Sequence, residues 1–167
     1  MNPSILDNVE LAMATLIPGM NVAAGYNYNW KTCNEEDLVV GDFPRTVINP
    51  TDSLADKITN LDTKAGLGSL DYTQEVLFTL LSIGELNFPS NNPDFAIRSV
   101  CRHMLDDLLM LFGRNYTVNN SCDGIMFVAS QIEIVKRNDI QRPGCLRSIW
   151  RVWFSCDRSN PSVRAGS

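Results

Sequence analysis

Residues 73–84 read TQEVLFTLLSIG, and this run constrains the fold more than any other part of the chain. In extended conformation Val76, Phe78 and Leu80 fall on one face and Leu77, Leu81 and Ile83 on the other. A strand that is apolar on both faces does not belong at a solvated edge. It predicts a strand that is central or covered on both sides.

Two helices are available to cover it. The first follows Asn2-Pro3-Ser4, where either Pro3 takes the first helical position or Ser4 caps with Asp7 three residues on. Ile5, Val9, Ala12 and Leu16 recur at helical spacing, Leu6 and Met13 widen the stripe, and Pro18-Gly19 ends it. The second opens at Asn92-Pro93-Asp94 and runs to about Phe112, with Gly113 as its stop. Its expected buried side is Phe95, Val100, Met104, Leu105, Leu108, Leu109 and Phe112; its expected wet side is Arg98, Ser99, Arg102, His103 and Asp106.

Further strands follow from period-two patterning. Tyr26, Tyr28 and Trp30 alternate with Asn27 and Asn29, which predicts a strand with three rings on one side. Residues 43–48 (FPRTVI) predict another, starting near Pro44. Residues 125–135 and 146–156 predict a closing antiparallel hairpin, joined by a loop with Asn138-Asp139 and Arg142-Pro143-Gly144. Residues 49–69 carry few large apolar groups and predict a long projecting loop, in which Leu54, Ile58 and Leu61 support a helical turn or two. The expected fold class is α+β: a mainly antiparallel sheet of five to six strands with two main helices packed on it. Residues 1–158 form one domain, and residues 159–167 form a polar C-terminal tail, mobile unless a partner pins it.

Charge is divided along the chain. Residues 1–135 hold seven Lys/Arg against seventeen Asp/Glu, whereas residues 136–167 hold seven Arg/Lys against Asp139 and Asp157. A small protein with one acidic and one basic stretch is suited to meeting neighbours, copies of itself included. At pI 4.8, non-specific nucleic-acid binding by the whole molecule is disfavoured. No apolar run approaches the roughly eighteen residues of a membrane span, and the N-terminus reads as no secretory signal. The five cysteines are odd in number and widely spaced without a C-x-x-C, so free thiols in a reducing compartment are expected, and with them synthesis in the cytosol.

Candidate chemistry is sparse. The single histidine, His103, has no nucleophile motif beside it, and Asp107 is a simple i,i+4 helix partner for it. Asp106-Asp107 as a metal pair point about 100° apart on a helix, so solvation and pairing with Arg102 or His103 explain them more simply. Gly66-Leu67-Gly68 lacks the G-K-[ST] of a phosphate loop. Cys101 and Cys122 read as structural thiols rather than nucleophiles. The aromatic face of Tyr26, Tyr28 and Trp30 is either core, a subunit interface or a base-stacking platform. No catalytic, cofactor-binding or metal-binding residue is assigned.

The cations of the closing hairpin are the strongest surface feature. Arg147 and Arg151, four residues apart in a strand, share a face. They are either a solubilising strand face or a patch that pairs with carboxylates of an adjacent subunit, a role that suits arginine. Arg142 and Arg158 flank them in sequence.

With that order of elements, the chain resembles the tail terminator (tail-to-head joining) proteins of long-tailed bacteriophages. The likeness covers most of the chain and is one of order and texture. It lies in the first helix ending Ile17-Pro18-Gly19, the strand at 43–48, the long polar loop, the apolar strand around Val76-Leu77-Phe78, the helix ending at 106–113 (DDLLMLFG), and the closing hairpin. The resemblance implies a homohexameric ring that caps the tail tube, stops its polymerisation and offers a surface to the neck or connector (head-completion) protein. DNA would pass through the lumen without specific binding, and the protein would be part of the virion, assembled in host cytoplasm, with no membrane, cofactor or enzymatic activity. Interface candidates are Arg142, Arg147, Arg151 and Arg158 on the hairpin. In the long loop they are Asp52, Lys57, Asp62 and Lys64, on the expectation that this loop orders on the tail tube. The rival readings are another neck or tail-completion adaptor and, from other classes, a small cytosolic enzyme or a monomeric ligand-binding module.

Overall fold

A computed structural model of the protein describes residues 4–38, 42–51, 59–60, 71–84, 93–134, 144–157 and 164. Among the described residues, two α-helices lie on one face of a mixed, mostly antiparallel sheet. The strands are β1 (Lys31–Thr32), β2 (Arg45–Ile48), β3 (Thr59–Asn60), β4 (Asp71–Gly84), β5 (Gly124–Ile134) and β6 (Gly144–Asp157). Five of them run in the order β1-β2-β4-β6-β5, and β3 pairs with β4 off that path. Among the described residues, only β1 against β2 is parallel; the other pairings are antiparallel.

The apolar strand is central, as its sequence demands. One edge of β4 pairs with β6 in unbroken register from Asp71↔Asp157 to Gly84↔Gly144, and the other is shared by β2 and β3. Its two faces are covered unequally. Val76, Phe78 and Leu80 join Trp150, Val152 and Phe154 of β6 in the main core beneath the helices. On the opposite face, Ile83 and Cys145 pack with Leu38 and Val47 in a second small cluster, while Leu77 further along is only half-buried.

Helix α1 (Ile5–Leu16) starts with a capping box at Ser4, the second of the two starts that its sequence allows. Asp7 N–H donates to Ser4 Oγ at 3.1 Å, and Ser4 N–H donates to Asp7 Oδ2 at 2.7 Å. Ile5, Val9 and Met13 enter the core. Helix α2 (Pro93–Arg114) passes Gly113 in helical conformation and ends a residue later. Its buried stripe is Ile97, Val100, Cys101, Met104, Leu108, Leu111 and Phe112. Two residues expected in that stripe lie outside it: Phe95 is 58% exposed and Leu109 40%. A stripe running through 97, 101, 104, 108 and 111 turns residues 95 and 109 away from the sheet.

The predicted aromatic strand is absent. Residues 21–30 form a single 3-10 turn, Val22–Ala24, capped by Asn21, then the left-handed Gly25 (φ 88) and a bend, with pairing to β2 beginning only at Lys31. Tyr26 and Trp30 are buried and Tyr28 half-buried, but they reach the core from an irregular wrap. The alternation of rings and asparagines imitates a strand period, and hydrogen bonds to a distant carboxylate decide the conformation instead.

Of the loop predicted over 49–69, Thr59 and Asn60 pair along the edge of β4 opposite Glu75 and Gln74, a strand where helical turns were expected. The remainder beyond Thr51 lies outside the described residues, as does the tail except Arg164. Arg164 forms an isolated antiparallel bridge with Cys156.

Candidate interaction surfaces

The face of the sheet opposite the helices carries Arg147, Ile149, Arg151 and Trp153 of β6 beside Glu75 and Leu77 of β4. The two arginines share this face, as their spacing requires, and each meets a carboxylate of its own chain. Arg147 Nε donates to Glu133 Oε1 at 2.9 Å, and Arg151 Nε lies 3.1 Å from Glu75 Oε1. Around these pairs Leu77, Ile149 and Trp153 are half-buried, and Met126 of the edge strand β5 is 47% exposed. The other sequence-predicted interface residues, Arg142, Arg158, Asp52, Lys57, Asp62 and Lys64, lie outside the described residues. Strand β5 carries a register shift between Phe127 and Ala129, and Val128 within it is 41% exposed. Such a bulge twists an edge and discourages unplanned strand pairing.

A second surface was not legible in the sequence because three separate segments build it. The stripe Asp7–Leu11–Ala14 of α1, with Glu10 beside it, forms one wall of a groove of about 890 Å³. The segment from Thr32 to Asp37 forms another wall, and Val47, Ile48 and Asn49 contribute its third side. Arg45 fixes the second wall by donating to the carbonyls of Asp42 (2.9 Å) and Asp37 (3.2 Å). Glu35 accepts from Thr51 N–H at 3.0 Å. Carboxylates outnumber cations in the lining, and Leu11 stands 67% exposed at its rim.

The outer side of α2 carries both signs of charge, with Asp94 and Asp106 exposed beside the cations. Arg98, Arg102 and His103 are exposed between the exposed Phe95 and Leu109. The His103 carbonyl accepts from Asn27 Nδ2 at 3.3 Å.

Asp107 does not pair with His103. It is fully buried, its Oδ1 accepting from Asn27 N–H (2.8 Å) and Nδ2 (2.9 Å), its Oδ2 from Tyr28 N–H (3.2 Å) and Trp30 Nε1 (2.8 Å). Burial, then the nearby Asp107 carboxylate, push the Tyr28 phenol above its ordinary value. The signal was present in the sequence. Asp107 lies three residues after Met104 and four before Leu111, on the buried stripe, where a carboxylate must find donors.

All five cysteines are free thiols, four of them buried. Burial pushes Cys101 and Cys122 up to about 11 and Cys145 up to about 12, which leaves them as thiols at neutral pH. Among the described residues no group of three or more His, Cys, Asp or Glu side chains is placed to hold a metal ion.

No protein-family model matches this chain. No curated protein matches it either.

Proposed function

We propose that this chain is a ring-forming structural subunit of a long-tailed bacteriophage that caps the tail tube and joins the tail to the head. The observation that carries the reading is the face of the sheet opposite the two α-helices. Its half-buried Leu77, Ile149 and Trp153, exposed Met126 and paired Arg147 and Arg151 give the aromatic, methionine- and arginine-bearing composition of subunit interfaces. The α+β protomer, with two helices on a mostly antiparallel sheet, agrees with the architecture that the resemblance implies. A net charge of -5 suits a ring that DNA slides through without sticking.

In this reading the subunit works by shape rather than chemistry. It closes on copies of itself, meets the last ring of tube protein on one side, and presents the other side to the neck protein. The residues of 52–64 and the hairpin arginines are its proposed contacts with those partners. A native mass spectrum of the purified chain tests the closure: a dominant species at six times 18.6 kDa is expected. Purified tail tubes incubated with the chain should stop growing and show an added ring at one end by electron microscopy. Tubes that lengthen unchecked, with no added density, overturn the proposal.

A further inference from the structure

Strand β6 outruns one of its neighbours. On one side β4 pairs with it as far as Asp157, but on the other the β5 ladder starts at Gly124↔Trp153 and leaves residues 154–157 without it. That uncovered side is filled by other means. Asp123, the residue before β5, lends Oδ2 to Ser155 N–H at 2.7 Å, in the place of a strand carbonyl. Its Oδ1 lies 2.6 Å from Arg164 Nη2, and Arg164 Nη1 donates to the Asn120 carbonyl. Arg164 also forms the antiparallel bridge with Cys156. Tyr72 of β4 already pairs with Cys156 on one side, so Arg164 lies on the side that β5 leaves. One carboxylate therefore caps the strand edge and grips the residue that covers it.

We infer that Arg164 is a latch, closing an edge of β6 that otherwise pairs with the same edge of a second copy. The contact is autoinhibitory. An antiparallel edge is complementary to itself, because a two-fold axis lays it against its own copy with donors and acceptors matched. Uncovered edges are sites of such pairing, and covering them is how folded proteins prevent it. The latch stands whether or not the chain forms a ring.

The cradle for Arg164 is built at a cost. Val118, Asn119 and Asn120 are three successive left-handed residues, with φ of 47°, 54° and 61°. Asparagine accepts that conformation, but a β-branched valine does so only under strain. The turn is held by the full burial of Val118, by Cys122 N–H donating to the Thr117 carbonyl at 3.2 Å, and by Ser121 Oγ donating to the Val118 carbonyl at 2.6 Å. Strained backbone persists where its surroundings fix it, and it gathers at sites with a task. Here the turn ends on the Asn120 carbonyl, which shares one guanidinium with Asp123. The planar fork of arginine suits two acceptors on separate residues; a lysine ammonium is a single point charge.

Hydrogen exchange of the full chain, read by mass spectrometry, tests the latch. Arg164→Ala removes the fork. Asp123→Asn keeps an oxygen for Ser155 N–H but turns an NH2 group toward Arg164. Both variants should fold as the wild type does by circular dichroism. At low chain concentration the amides of residues 154–157 should exchange about tenfold faster or more in both, with the Gly84–Gly144 end of the ladder unchanged. Arg164→Lys should fall between. At high concentration, sedimentation velocity should show Arg164→Ala species of twice the wild-type mass, and protection of 154–157 should return with them. Exchange equal to the wild type's in both variants overturns the latch. Faster exchange with no doubled species, or doubling without returned protection, overturns the pairing between copies.

Discussion

Asp107 holds the first third of the chain to the second helix. A carboxylate accepting four hydrogen bonds in a buried place fixes the path of residues 27–30, including the indole of Trp30. Asp107→Ala removes the acceptor and leaves those donors buried without partners. We expect a loss of about 3–5 kcal/mol, read from urea unfolding followed by tryptophan fluorescence. Asp107→Asn keeps the shape but turns an NH2 group toward N–H donors, and should recover only part of that stability. Asp123 does a similar job in a more open place. Burial acts to raise its pKa, but hydrogen bonds from Arg164 and from Ser155 outweigh this and hold it below its ordinary 3.8. Arg164 Nη2 lies 2.6 Å from Asp123 Oδ1, Ser155 N–H donates to Oδ2 at 2.7 Å, and Arg164 also donates to the Asn120 carbonyl. A folded pKa below the unfolded one contributes stability that is present above the unfolded value and lost as pH falls through the folded one. The stability gap between wild type and Asp123→Asn should therefore be widest near neutrality, at about 1 kcal/mol. It should close as the solution is acidified below 3.8, and thermal melts across pH measure it. A gap independent of pH would remove the ionised carboxylate from the account.

At the scale of elements, β4 and β6 pass closely under α2 at two facing glycines. Gly84 and Gly144 sit opposite each other in the ladder. A Cβ on Gly84 would come within 2.6 Å of Val100 Cγ1 and 3.2 Å of Met104 Sδ; one on Gly144, within 3.0 Å of Cys101 Sγ. The pair forms a notch that seats the helix. Gly84→Ala should cost about 1–3 kcal/mol in chemical denaturation, by overpacking. Gly113→Ala, where a Cβ meets nothing within 4 Å, should instead add up to about 1 kcal/mol through helix propensity. Both helices, the central strand and the closing hairpin were legible in the sequence, because period, caps and turn residues agreed locally. The notch was not: Gly84 reads as the end of a strand and Gly144 as part of a turn, and only their pairing across the sheet gives them a shared purpose. The wrap at 21–30 was misread for a related reason. Its pattern is local, while the acceptor that shapes it sits on another element.

Across the whole molecule, the division of charge along the chain does not persist in space. Arg147 and Arg151, from the basic stretch, find Glu133 and Glu75 from the acidic one. Sequence gave the sign of each segment but not that strands from both would lie side by side. The candidate groove was hidden in the same way, being assembled from α1, the 32–37 segment and β2. The longest pairing in the fold is also the one that joins the most distant parts. All of α2 and β5 are translated between β4 and its partner β6. Until that last strand emerges from the ribosome, β4 keeps an open edge and uncovered apolar faces, so a partly made chain has no stable resting form. Folding must wait for residue 157, where that strand ends. In the proposed ring, a nascent fragment would offer the growing assembly no finished surface to join, which would keep incomplete subunits out.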